Sequence, residues 1–121
     1  MEPNARKVWE ANNGRAPDVG DILEEPASET KFAHVITVSF PCQSSSQAGK
    51  RLGSKDPRGE KVLGHALSMI GSARPPLVVL ENVPGFKSVQ GGAYYRFLES
   101  RLLEIGYPKV NSHVLGTHSY G

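Results

Sequence analysis

Two residues carry most of the chemical potential of this chain. Cys42, the only cysteine, follows Pro41 at the end of the run HVITVSF. Glu81 directly follows the run LVVL. A thiolate is a strong, soft nucleophile, and a carboxylic acid nearby can donate a proton. Such a pair suits conjugate addition to an electron-poor ring, with sulfur attacking one carbon while the acid holds a ring nitrogen. Taken singly, each residue has a plainer explanation. A lone cysteine is most often a small buried hydrophobe, and a glutamate at this position can cap the turn that follows. Acyl transfer fits less well, because a nucleophilic cysteine of that kind needs a histidine base. His34, the nearest in sequence, stands at the other end of the same apolar run. One cysteine and four scattered histidines also lack the spacing of metal ligands. No metal site is expected.

The segments that would position Cys42 and Glu81 alternate in type. Residues 34–40 are rich in Val, Ile, Thr and Phe and read as a buried strand. Residues 77–80, LVVL, read as a short strand buried on both faces. Between them, residues 41–59 read as a long polar loop, of a length that in a compact domain is usually functional or disordered. Residues 60–73 then show apolar positions at 62, 63, 66, 67, 69 and 70, a helical period ended by Arg74-Pro75-Pro76. A helix over 5–12 is expected to stop at Asn13-Gly14, and one over 93–105 at Gly106. Residues 15–31 and 84–92 read as loop, and 109–115 as a third strand. The alternation implies an α/β fold, with a parallel sheet, right-handed crossovers and flanking helices. In such sheets ligands bind beyond the carboxyl ends of the strands. Cys42 and Glu81 both fall there.

At 121 residues the chain has the length of one ordinary domain, and 38% of its residues are hydrophobic. Residues 1–30 carry three bases against seven acids, net −4; the remaining residues carry eleven against five, net +6. The larger part is therefore basic, which permits a polyanionic partner. A single cysteine forms no intramolecular disulfide, the first 30 residues lack an apolar signal region, and no apolar run approaches the ~18–20 residues of a membrane span. The expectation is an intracellular protein with no membrane partner, in the nucleus if eukaryotic and the cytoplasm if bacterial.

Pro41-Cys42-Gln43, Ser46, Gly49, Arg51, Asp56-Pro57-Arg58-Gly59 and Glu81-Asn82-Val83 together resemble the cytosine-C5 DNA methyltransferases. That family shows a strand ending in F-P-C-Q, a loop reaching D-x-R-G, and a strand ending in E-N-V. Ala5 to Gly14 with Gly20-Asp21-Ile22 is similar to its upstream helix and G-D-I segment, and Gly106-Tyr107 with Tyr120-Gly121 to the run into its next motif. Ser39 stands where a glycine is usual, and Ser45 where a bulkier residue is usual.

The resemblance implies a partial Rossmann-like fold dependent on S-adenosyl-L-methionine, acting on a cytosine in duplex DNA. It implies that Cys42 adds to C6 of a flipped-out cytosine and that Glu81 pairs with N3 and the exocyclic amine. Asp21, Ile22 and Pro41 would contact the cofactor. Gln43, Ser46, Arg51, Arg58, Asn82 and Val83 would lie on the substrate side, with Arg51 and Arg58, like Lys50 and Lys55, meeting phosphates. Asn82 and Val83 would also hold Glu81 from the following turn.

The family's first strand with its glycine-rich loop, its target-recognition region and its C-terminal motifs have no counterpart here. Residues 1–121 are therefore expected to be a fragment of the catalytic domain, inactive alone. A tRNA cytosine-C5 methyltransferase, which shares P-C-Q and E-N-V, and a non-catalytic remnant are the alternatives.

Overall fold

The structure, a computed structural model, describes residues 3–40, 57–116 and 118; the side chains of residues 57, 58 and 60 lie outside that description. Its elements in chain order are helix α1 (Pro3–Asn13), two short 3₁₀ turns (Ile22–Glu24 and Ala27–Glu29), strand β1 (Val35–Ser39), helix α2 (Pro57–Ala73), strand β2 (Leu77–Glu81), 3₁₀ turns over Pro84–Gly92, and helix α3 (Ala93–Ile105). The strands pair in parallel, Val35 opposite Leu77 through Ser39 opposite Glu81. Helix α2 supplies the crossover, as a parallel connection requires. The result is a mixed α/β arrangement, a parallel two-stranded sheet with flanking helices, as the alternation of segments predicts.

Local chemistry sets the helix ends. Gly14 closes α1 at φ +68°, with its N–H on the Glu10 carbonyl at 2.9 Å. Gly106 closes α3 at φ +120°; its N–H reaches the Leu102 and Leu103 carbonyls, and the Tyr107 N–H also reaches Leu102. Those bonds satisfy carbonyls that the helix end would otherwise leave orphaned. Helix α2 starts at Pro57 rather than at residue 60, because proline favours the first turn of a helix. It stops where Arg74 turns to φ +46° ahead of buried Pro75.

The core lies between one face of the sheet and the two longer helices. Phe40, Leu63, Leu67, Ile70, Phe86, Leu98 and Leu102 are buried together, with Ile36, Val38, Val78 and Leu80 packed against them. Leu63 and Ile70 are almost wholly enclosed, and each such side chain contributes about 1.5–3 kcal/mol on leaving water.

Two expectations need correction. The LVVL strand is covered on one face only: Leu77 and Val79 are 53% and 45% exposed, and Val35 beside them 47%. A continuous apolar run reports what a strand can bury, not what lies against it. Residues 109–115 form no strand; Val110, Val114 and Leu115 are exposed, and the described sheet has two strands. Asn111, Ser112 and His113 break the apolar run there, and strand propensity without a partner does not hold a strand. The segments read as loop at 15–31 and 84–92 contain the 3₁₀ turns named above.

Candidate functional site

The parallel register brings the carboxyl ends of β1 and β2 level, with Ser39 beside Glu81. Beyond those ends the two chains are tied. The Asn82 side-chain Nδ2 donates to the Phe40 carbonyl at 3.3 Å, and its Oδ1 accepts the Val83 N–H at 2.9 Å. Phe40 is held from its other side as well. Its ring is 7% exposed and meets Phe86 edge-on at 5.2 Å, and Phe86 meets Tyr94 at 5.5 Å. The residue that leads into Pro41-Cys42 is thus fixed by its side chain in the core and by its carbonyl at the strand end.

Glu81 occupies the last position of β2 and points to the open face of the sheet, exposed. A carboxylate so placed can accept hydrogen bonds when ionised and donate one when protonated. Asn82 and Val83 follow it as part-buried residues, Asn82 bridging the strand ends as described.

Asp21 and Ile22 sit on a different element. Asp21 caps the first 3₁₀ turn, its Oδ1 accepting the Leu23 N–H at 3.1 Å, and Ile22 is half-buried in that turn. The turn rests against α2, where His65 Nε2 lies 2.8 Å from the Glu25 carbonyl. Pro41, Cys42, Gln43, Ser46 and Arg51 lie outside the described residues, as do Asp56, Tyr120 and Gly121. The backbone of Arg58 belongs to the first turn of α2, but its side chain is outside the description.

Two contacts escaped sequence reasoning. The sequence placed Asn82 beside Glu81 but offered no sign that its amide would reach residue 40. His65 was an isolated histidine without spacing to any partner, and nothing in the sequence marked its bond to Glu25. Among the described residues no three His, Cys, Asp or Glu side chains are arranged to hold a metal ion, and no helix is long and apolar enough to cross a membrane.

A family model described as C-5 cytosine-specific DNA methylase matches residues 1–121. Among curated proteins the chain is similar to the type II methyltransferase M.NgoBI of Neisseria gonorrhoeae, at 35% identity over 117 residues, covering 97% of this chain and 36% of that protein. It is 30% identical over 121 residues to the type II methyltransferase M.MspI of Moraxella sp, covering all of this chain and 28% of that protein. Against the type II methyltransferase M.HhaI of Haemophilus parahaemolyticus it is 30% identical over 117 residues, 97% of this chain and 35% of the relative. The chain thus spans about a third of the length of these relatives.

Proposed function

The chain belongs to the C-5 cytosine-specific DNA methylase family, and we propose that it carries the nucleophile and the acid of methyl transfer to C5 of cytosine in DNA. The observation that supports this most is the level pairing of the two strand ends, with Asn82 joined to Phe40. That pairing puts Glu81 beside the point where the chain enters Pro41-Cys42-Gln43.

The division of labour follows from the chemistry. The Cys42 sulfur forms a bond to C6 of a cytosine flipped out of the stack, and C5 becomes electron-rich. Glu81 hydrogen-bonds N3 and the exocyclic amine, offsetting the negative charge that sulfur addition places on the ring. Once C5 has gained its methyl group it loses its proton, the C6–S bond breaks, and Cys42 is restored. Gln43, Ser46, Arg51 and Arg58 act on the DNA side, and Val83 with Asn82 keeps Glu81 in place.

The residues present fit S-adenosyl-L-methionine in kind. An adenine amine donates hydrogen bonds, and a carboxylate such as that of Asp21 accepts them. Ile22 offers an apolar flank, and Pro41 completes the assigned set. When bound, this cofactor supplies an electrophilic methyl group on a sulfonium.

Methyl transfer needs polypeptide beyond these residues. The relatives are about three times as long, and Val35, Leu77 and Val79 present an uncovered apolar face.

The test is a chimaera in which these residues replace the matching segment of M.NgoBI, assayed with methyl-labelled S-adenosyl-L-methionine on duplex DNA and on tRNA. The expected result is label in DNA cytosine, lost in Cys42→Ser and Glu81→Gln, with none from the 121 residues alone. Labelling of tRNA only would overturn the DNA assignment. Undiminished labelling by Cys42→Ser would overturn the nucleophile.

A further inference from the structure

We propose that His65 is a positioning residue for the cofactor segment, and this rests on the assignment of Asp21 and Ile22 to cofactor binding. Its imidazole Nε2 lies 2.8 Å from the backbone carbonyl of Glu25, forty positions away in sequence. A carbonyl oxygen only accepts, so Nε2 carries the hydrogen and donates it.

The segment that receives this bond packs along α2 as two short turns. The Ile22–Glu24 and Ala27–Glu29 turns are three residues each, and neither contains a buried residue. Short 3₁₀ turns have few and poorly aligned internal bonds; here they include Glu24 N–H to Asp21 O at 3.0 Å, Glu25 N–H to Ile22 O at 3.4 Å, Glu29 N–H to Pro26 O at 2.9 Å and Thr30 N–H to Ala27 O at 3.3 Å, with the Thr30 hydroxyl also donating to Ala27 O at 2.8 Å and Asp21 Oδ1 accepting the Leu23 N–H at 3.1 Å. The platform beneath is different. Helix α2 buries Leu63, Ala66, Leu67 and Ile70, on both sides of His65 in sequence. His65 therefore transfers the position of a well-packed helix to the cofactor-side turns, at Glu25, one of the two residues between the 3₁₀ segments.

Helix α2 also begins at Pro57, fifteen positions after Cys42 in the sequence. A helix anchored in the core and bonded to the Asp21 turn thus serves both sides of the proposed reaction, with His65 as its handle on the cofactor side.

The experiment compares the parent chain with His65→Leu, which removes the donor, and His65→Gln, which restores an N–H at similar reach. Amide hydrogen exchange is followed at Glu24, Glu25, Glu29 and Thr30, and S-adenosyl-L-methionine is titrated by calorimetry into the M.NgoBI chimaera carrying each of the same three residues at position 65. In His65→Leu these amides should exchange about fivefold faster, with the strands and α3 unchanged, and cofactor affinity should fall by a similar factor. His65→Gln should return both towards the parent. Unchanged exchange in His65→Leu, or acceleration spread evenly over the protein, overturns the positioning role. Faster exchange at the turn with cofactor affinity unmoved reduces His65 to a local anchor and overturns it too. Failure of a parent chimaera that folds to bind the cofactor defeats the underlying assignment, an outcome distinct from the other two.

Discussion

Asn82 and Phe40 are joined across the strand ends: the Asn82 amide nitrogen donates to the Phe40 carbonyl at 3.3 Å while its oxygen takes the Val83 N–H at 2.9 Å. One side chain therefore satisfies a backbone group on each of the two strand exits. Removing it leaves a part-buried donor and a part-buried acceptor without their protein partners.

Asn82→Ala should accordingly lower stability by about 1–2 kcal/mol. Asn82→Asp keeps the acceptor for the Val83 N–H but turns an oxygen towards the Phe40 carbonyl, so it should not recover the loss. Urea unfolding of the three proteins checks this. Equal midpoints for parent and Asn82→Ala would show that the bridge contributes nothing.

Two glycines should respond in opposite directions to alanine. Gly106 sits at φ +120°, which L-residues rarely adopt, and Gly106→Ala should cost about 1 kcal/mol or more. Gly64 lies inside α2 with nothing within 4 Å of an added Cβ. Gly64→Ala should therefore stabilise by about 0.5–1 kcal/mol, the helix-propensity difference. Thermal melts that move the same way for both variants would contradict this.

The core and the open sheet face predict unequal costs for equal truncations. Ile70 has no exposed surface, and Ile70→Ala should cost about 2–5 kcal/mol. Val79, on the open face of β2, should cost under about 1 kcal/mol as Val79→Ala, since surface substitutions usually stay near 0.5 kcal/mol. A large loss at Val79, measured by denaturant unfolding, would mean that this face is covered in solution.

These contrasts mark where the sequence was readable. Gly14 and Gly106 ended their helices as their types suggest, because the left-handed cap is a local requirement. The strand cores at 35–39 and 77–81 and the helical period of α2 and α3 were legible from residue type and spacing, and with them the placing of Glu81 at a strand end. What covers a strand was not legible. LVVL has the composition of a doubly buried strand, yet Leu77 and Val79 are exposed, and the apolar residues of 109–115 found no strand to join. The bonds from Asn82 to residue 40 and from His65 to residue 25 were equally hidden. Both span about forty residues, and no periodicity in a sequence records which side chains the fold brings together at that range.

Tyr107 gives the chain a pH dependence of known sign. Its hydroxyl donates to the Pro75 carbonyl at 2.7 Å, tying the end of α3 to the turn between α2 and β2. Burial pushes its pKa above the ordinary tyrosine value of 10, and the positive charge of Arg74 opposes that shift in part. The folded state thus holds the phenolic proton more tightly than the unfolded state. The stability this contributes is complete below pH 10, the unfolded value, and is lost as pH rises through the higher folded value. The physical cause is direct, since a phenolate has no hydrogen to give Pro75 and would face its oxygen. Every other group is common to the two proteins, so the useful quantity is the difference between the parent and Tyr107→Phe. Urea midpoints measured from pH 8 to 11 should converge as the phenol ionises, the parent losing the advantage that Tyr107→Phe never had. Parallel pH profiles for the two proteins would mean that the bond to Pro75 does not distinguish folded from unfolded chains.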